Sequence, residues 1–271
     1  MRAQVVVVGG GPVGLAATHL LARWGIRTVL VERHREPAGH PRATVVNVRT
    51  MEILRTLGLA ARVRAAGVPP QSAARITWRT SLTGPEIGHL DVISSAEKLM
   101  RMAAQSPELP AICPQHKLEA ILAGALAEQP AVTGLFGHVA TDLEPGPDGV
   151  TVTVTGSGSP RRIEADYVLL AEGLRGRLRE RAGIREVAQP PLGRLLDIHF
   201  RADLRSWTGS AIYWLAGTSV RGALITVDPA AGEWLLELPE IGAPLFDGDV
   251  DRLGLVRAAL GPAAADVPVE L

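Results

Sequence analysis

The stretch Val5-Val6-Val7-Val8-Gly9-Gly10-Gly11-Pro12-Val13-Gly14 restricts the folds open to this 271-residue chain more than any other part of it. Four consecutive β-branched residues read as a strand buried on both faces, as in a parallel sheet. Glycines at 9, 11 and 14 fit the G-x-G-x-x-G pattern. In that pattern the first permits a tight turn, the second lets backbone approach a pyrophosphate, and the third lets a helix pack on the strand. From Val13 onward Ala16, Ala17, Leu20, Leu21 and Trp24 fall on one helical face, and Gly25 is placed to end that helix. Thr28-Val29-Leu30-Val31 then predicts a second parallel strand ending at Glu32, 18 residues past Gly14, where an acid reaches ribose hydroxyls. Phosphates would sit at the helix N-terminus, where unpaired N–H groups and the macrodipole favour negative charge. The plainer reading is an ordinary glycine turn with Glu32 in a surface ion pair.

Composition removes several other classes. Twenty-eight Lys and Arg balance 28 Asp and Glu, so no global field favours nucleic acid or an anionic membrane surface. The one cysteine, Cys113, precludes an internal disulfide and suits a reducing compartment. It is expected to be a partly buried residue before a helix. No apolar run approaches the roughly 18 residues of a membrane span, and no signal peptide precedes the glycine corner, so the expectation is a cytoplasmic protein without a membrane. The seven histidines form no H-E-x-x-H cluster, no cysteine pair exists, and no G-x-S-x-G elbow follows a strand.

After Glu32, residues 33–42 are too polar and proline-broken for core and read as a functional loop. Arg42, and Arg49 beyond it, are placed to reach phosphate or ribose oxygens; the alternative is a solvated basic loop. Asn47 predicts the cap of a helix with stripe Met51, Leu54, Leu57 and terminator Gly58. Residues 74–93 alternate and read as strands of a different sheet, and 94–113 as a long polar connection that serves a site. Pro114 opens a helix with stripe Leu118, Ile121, Leu122, Ala125 and Leu126. Gln115 and His116 at its start face a ligand, cap the helix or meet solvent. A hairpin is predicted around Pro145–Gly149, and Tyr167-Val168-Leu169-Leu170 as a strand leaving through a second corner at Ala171-Glu172-Gly173. Past Pro190-Pro191, runs at 196–200, 211–215, 223–227 and 233–237 predict an antiparallel sheet, able to wall a pocket for a flat apolar substrate. Residues 250–260 read as a helix and 263–271 as having no terminal element.

In this order the pieces resemble the class A flavoprotein monooxygenases, the para-hydroxybenzoate hydroxylase-like family, and within it the phenol and aromatic polyketide hydroxylases. The matching residues are Gly9 to Gly14 with Glu32-Arg33, Pro41-Arg42-Ala43, the run from Arg49 to Leu59, Cys113-Pro114-Gln115 with Leu118-Glu119, and Asp166 to Gly173. The resemblance runs along essentially the whole chain. It implies an α/β fold with a Rossmann-like FAD-binding domain over 1–188, carrying inserted strands and a connection at 74–111. A second, antiparallel-sheet substrate domain, incomplete, is implied over 189–271. It implies FAD held by Gly9, Gly11, Gly14, Glu32, Arg33, Arg42, Arg49, Gln115, Glu172 and Arg175, with NAD(P)H as co-substrate. The implied partners are a small aromatic substrate and O2, and neither nucleic acid nor membrane. In the implied reaction NAD(P)H reduces the flavin, O2 adds to give a flavin hydroperoxide, and its distal oxygen attacks an electron-rich ring. That scheme calls for no catalytic side chain and no metal.

Two features depart from the family pattern. The second fingerprint is typically Gly-Ala-Asp-Gly-x-Arg-Ser, and here it is Leu170-Ala171-Glu172-Gly173-Leu174-Arg175-Gly176. The third, a Gly-Asp segment closing over the flavin, has no counterpart before Leu271, so a member C-terminally truncated within its substrate domain is expected. Two further readings stand beside a monooxygenase. One is a truncated, non-catalytic remnant or FAD-binding module of the same fold; the other is an NAD-dependent dehydrogenase using the first corner alone. The residues carry no signature of the particular aromatic substrate, of NADH against NADPH, or of oligomeric state.

Overall fold

The computed structural model describes all residues except 38, 70–74, 93–94, 188, 219 and 241–248. The edges of the expected insertion at 74 and 93, and residue 188 at the expected domain boundary, lie outside the described residues. The first half of the chain forms β1 (Arg2–Val8), α1 (Pro12–Arg23), β2 (Thr28–Glu32), β3 (Val45–Val46), α2 (Val48–Thr56), α3 (Ala60–Ala66), β4 (Arg75–Arg79), β5 (Glu86–Asp91), α4 (Ala96–Gln105), β6 (Ala111–Ile112) and α5 (Gln115–Leu126). The second half forms β7 (Val132–Phe136), β8 (Val139–Gly146), β9 (Gly149–Thr155), β10 (Arg161–Leu170), α6 (Leu178–Arg181), β11 (Leu195–Arg201), β12 (Ile212–Ala216), β13 (Arg221–Asp228), β14 (Glu233–Pro239) and α7 (Arg252–Leu260). Two units result. One comprises Met1–Gly39, Thr56–Leu59 and Gln115–Ala188; the other comprises His40–Arg55, Ala60–Pro114 and Gln189–Leu271.

The first unit is organised by a six-stranded sheet in the order β7-β2-β1-β10-β9-β8. β1 pairs in parallel with both β2 and β10, and β2 with β7, while β10-β9 and β9-β8 are antiparallel. The valine run lies in the middle of this sheet and all four side chains are buried, the expected result for a central parallel strand. Val6, Val8, Val29, Val31, Val152, Val154 and Ile163 share one core cluster.

Helix α1 exposes a different face from the one its apolar residues suggest. Trp24 is 80% exposed, and the buried residues are Gly14, Leu15, Thr18, His19 and Ala22. Two polar groups go inside because each has a partner. The Thr18 hydroxyl donates to the Gly14 carbonyl at 2.8 Å, and His19 Nε2 donates to the Leu122 carbonyl of α5 at 2.8 Å. Burial pushes the His19 imidazole below its ordinary pKa against the opposing pull of that bond. The stripe of α5 follows expectation, with Leu118, Leu122, Ala125 and Leu126 buried.

The second unit holds a sheet ordered β11-β14-β13-β12-β4-β5, antiparallel throughout except for the parallel β12-β4 pair. The strands predicted near 74–93 and those after 190 therefore belong to one sheet. One face packs Ile198, Phe200, Tyr213, Leu224, Trp234 and Leu236 against Val256, Ala259 and Leu260 of α7. Asn47 caps α2 as expected, its side-chain oxygen accepting from the Thr50 N–H at 2.9 Å, with Met51 and Leu54 buried.

Two expectations are corrected here. The long polar connection expected over 94–113 carries regular structure from residue 95 on: Ser95 caps α4, its hydroxyl accepting from the Lys98 N–H at 3.1 Å, and β6 pairs with β3. None of the α4 residues is buried, so no core stripe announced the helix. The last residues are also tied down. A short 3-10 turn at Pro262–Ala264 follows α7, and Glu270 exchanges two backbone hydrogen bonds with Arg201, at 2.8 and 3.0 Å, along β11.

Candidate cofactor site

In the first unit the glycine corner is closed by backbone bonds, Gly9 N–H to the Val31 carbonyl at 2.8 Å and Leu15 N–H to the Gly11 carbonyl at 2.9 Å. Gly9 takes φ +109, and a side chain there would run into the Ala171 carbonyl, so the corner after β1 and the corner after β10 touch through the absent side chain. A side chain on Gly14 would collide with the Gly9 carbonyl oxygen. Gly11 is different. It is the N-cap of α1, it makes no side-chain cap bond, and a methyl added to it would meet nothing within 4 Å. Backbone donors of the first turn thus open onto free space beside a residue with no side chain, the geometry a diphosphate needs.

Glu32 ends β2 with its carboxylate folded onto the corner: Oε2 accepts from the Gly10 N–H at 2.5 Å and Oε1 from the His34 N–H at 2.7 Å. The acid and the turn are therefore brought together. At the second corner Glu172 Oε2 accepts from the Leu178 N–H at 3.1 Å, which spends the carboxylate on the start of α6. A side chain on Gly176 would come within 2.6 Å of the Glu172 Cβ. Two of the three departures from the family pattern at this corner, Glu172 and Gly176, thus meet in space, while Leu170 is the third. Arg33 and Arg175 are exposed. Gln115, the first residue of α5, donates its side-chain amide to Glu119 Oε1 at 2.7 Å.

Arg42 and Arg49 lie in the second unit. Arg49 pairs with Glu52 at 2.9 Å, and Glu52 also accepts from the Ser106 hydroxyl at 2.8 Å. These two bonds hold the Glu52 carboxyl below its ordinary pKa. Arg42 has φ +41, the one positive value among the described residues other than glycine. That left-handed conformation costs roughly 1–2 kcal/mol for a residue with a Cβ. Its N–H donates to His40 Nδ1 at 3.2 Å, and the His40 ring meets His199 of β11 edge-on, with centroids 6.0 Å apart and planes at 67°. Neither His40 nor His199 belongs to a motif, and the one trace of this contact in the sequence is a histidine two residues ahead of Arg42.

The face of the second sheet away from α7 carries two rows in register. One runs Gly88, Trp78, Trp214, Ala223, Glu237, Asp197, and the other Leu90, Ile76, Ile212, Ile225, Leu235, His199. Trp214 is 44% exposed, so an indole surface is open on this face. Burial, and then the facing Asp197 carboxylate, pushes the Glu237 pKa up. Burial likewise pushes the His199 imidazole down. Among the described residues no group of His, Cys, Asp or Glu is placed to hold a metal, and no helix is long and apolar enough to cross a membrane.

Residues 2–238 match the family described as "FAD binding domain". The chain is 30% identical over 285 residues to 2,4-dichlorophenol 6-monooxygenase of Delftia acidovorans, an alignment covering 100% of this chain and 48% of that protein. It is 32% identical over 286 residues to aklavinone 12-hydroxylase DnrF of Streptomyces peucetius subsp. caesius, covering 97% and 57%. Among solved structures, the flavin-dependent monooxygenase PieE in complex with FAD and substrate superimposes with a TM-score of 0.88 at 30% identity, over 99% of this chain and 48% of that one. The chain spans about half the length of the relatives it matches. The glycine corner, with Glu32 folded on it and open space at Gly11, fits the cofactor for which that family is named. This chain belongs to the FAD-binding domain family.

Proposed function

We propose that the chain forms the cofactor-binding part, and one wall of the substrate site, of a cytoplasmic FAD-dependent monooxygenase that hydroxylates a phenolic or polyketide-like ring with NAD(P)H and O2. The observation that carries this is the corner itself: Gly9 and Gly14 cannot bear side chains, while Gly11 opens the first turn of α1 to solvent. The names of the relatives, a phenol 2-monooxygenase and a putative polyketide hydroxylase among them, support the choice of reaction. When bound, FAD supplies hydride uptake from NAD(P)H and transfer of one oxygen atom of O2 to an electron-rich ring.

The protein's share is binding, orientation and exclusion of water. The N–H groups after Gly11 take the diphosphate. Glu32 exchanges its bond with the Gly10 N–H for ribose hydroxyls, and Arg33, Arg42, Arg49 and Arg175 supply charge along the phosphates and ribityl chain. Gln115 turns its amide from Glu119 to the ring side, and Glu172 serves the second corner. The indole row of Trp78 and Trp214 offers a flat apolar surface to the substrate. No side chain is assigned as nucleophile.

The 271-residue chain is expected to take up FAD with a shifted visible spectrum, and to oxidise NADPH faster when a phenol is added, with hydroxylated product. Absence of flavin binding under every condition would overturn the assignment. An FAD-binding module without turnover is the second reading, favoured by the engagement of Glu172 with Leu178. It predicts flavin uptake with no oxygen consumption that depends on substrate.

A further inference from the structure

We infer that His40 is a positioning residue for Arg42, its Nδ1 serving as the acceptor that locks Arg42 in the left-handed conformation presenting the guanidinium to the anionic part of the cofactor. The inference rests on the assignment of Arg42 to FAD made above. Three observations within the second unit carry it. Arg42 alone among the described non-glycine residues has positive φ, at +41, a conformation that requires external support. The His40 Nδ1 accepts the Arg42 N–H at 3.2 Å, so the support comes from two residues earlier in the chain. The His40 ring in turn meets His199 of β11 edge-on, with centroids 6.0 Å apart.

The bond demands one protonation state. A backbone N–H can donate to Nδ1 only where that nitrogen carries a lone pair, so the bond selects the tautomer with the proton on Nε2. The geometry is that of an Asx-turn, in which a side-chain acceptor attached to Cγ takes the N–H two residues on. Asparagine places Oδ1 where histidine places Nδ1, on the same Cγ atom. Leucine fills similar space with no acceptor.

The test compares FAD affinity of the 271-residue chain, from flavin fluorescence quenching, for wild type, R42A, H40L and H40N, with melting temperatures as a control on folding. R42A and H40L are each expected to weaken binding, H40L by roughly 2- to 10-fold, the range of one net hydrogen bond. H40N should restore affinity to within about a factor of two. A long-range proton–nitrogen spectrum of the free chain should show Nδ1 of His40 unprotonated, independently of any cofactor. If R42A binds FAD as wild type does, or wild type does not bind at all, the cofactor assignment fails and this inference with it. If R42A weakens binding while H40L does not, or H40N is as weak as H40L, or Nδ1 carries the proton, the inference alone is overturned.

Discussion

At the scale of single residues, the glycine corner separates two demands that a motif treats as one. Gly14 is needed by the fold, since any side chain there meets the Gly9 carbonyl oxygen and then Ala171 Cβ at 3.3 Å. Gly14→Ala is therefore expected to destabilise the chain by about 1–3 kcal/mol, the usual cost of overpacking, read as a lower melting temperature. Gly11, by contrast, has open space about it, and the proposed cofactor site assigns that space to the ligand. Gly11→Ala should leave the melting temperature of the free chain unchanged while weakening FAD binding by roughly tenfold or more, equivalent to about 1.4 kcal/mol. The second corner makes a coupled prediction. Gly176→Ser places a Cβ 2.6 Å from that of Glu172 and should displace its carboxylate from the Leu178 N–H. Glu172→Asp keeps the Cβ but withdraws the carboxylate atoms that the new side chain would also meet, so a double-mutant cycle on melting stability should give a coupling of about 0.5–3 kcal/mol. Additive effects would show that the two substitutions are unrelated. The corner residues were legible because their pattern is local, confined to a strand, a turn and the first turn of a helix. The target of Glu172 was not, since nothing in a linear run says whether a carboxylate faces a ribose or the N–H of residue 178.

At the scale of elements, legibility followed burial for most of the chain. β1 and β2 declare themselves by apolar runs because both faces of a central parallel strand are covered; the apolar end of β10 shows just as well in sequence although Tyr167 and Leu169 are exposed. The alternating strands of the second sheet are equally plain, and in β11 the polar phase, Asp197 and His199, marks the face turned from α7. α4 was missed because an exposed helix with no buried residue leaves no stripe, and only its Ser95 cap marks its start. α1 was assigned the wrong inner face because hydropathy ranks Thr18 and His19 below Leu20 and Trp24, whereas burial depends on whether a polar group finds a partner. His19→Ala tests this. It removes the buried imidazole and its hydrogen bond to the Leu122 carbonyl between α1 and α5, an expected loss of about 1–3 kcal/mol in denaturant unfolding. Trp24→Ala, at an 80% exposed position, should cost far less.

At the scale of the whole molecule, 28 positive and 28 negative side chains leave no net charge, so the pH dependence of stability is set by the groups whose environments shift them. His19 in the first unit and Glu237 in the second are pushed in opposite directions by burial. The folded state resists protonating His19, so below its ordinary 6.5 the unfolded chain binds the extra proton. Its contribution is lost as pH falls from there through the depressed value. The folded state holds a proton on Glu237 that the unfolded chain releases above the ordinary 4.5. That contribution is lost as pH rises through the raised value. Asp203, held down to about 2 by Arg205, adds a term lost only in stronger acid. Below 6.5 His19, and His199 with it, make stability rise with pH, whereas above 4.5 Glu237 makes it fall, so the two kinds of group oppose each other between those values. His19→Gln removes one histidine contribution and should shift the slope of stability against pH towards negative relative to wild type. Glu237→Gln removes the opposing contribution and should shift it towards positive. Urea midpoints measured every half pH unit for the three proteins decide the matter, and a slope unshifted or shifted the other way in either variant would overturn the assignment of that group.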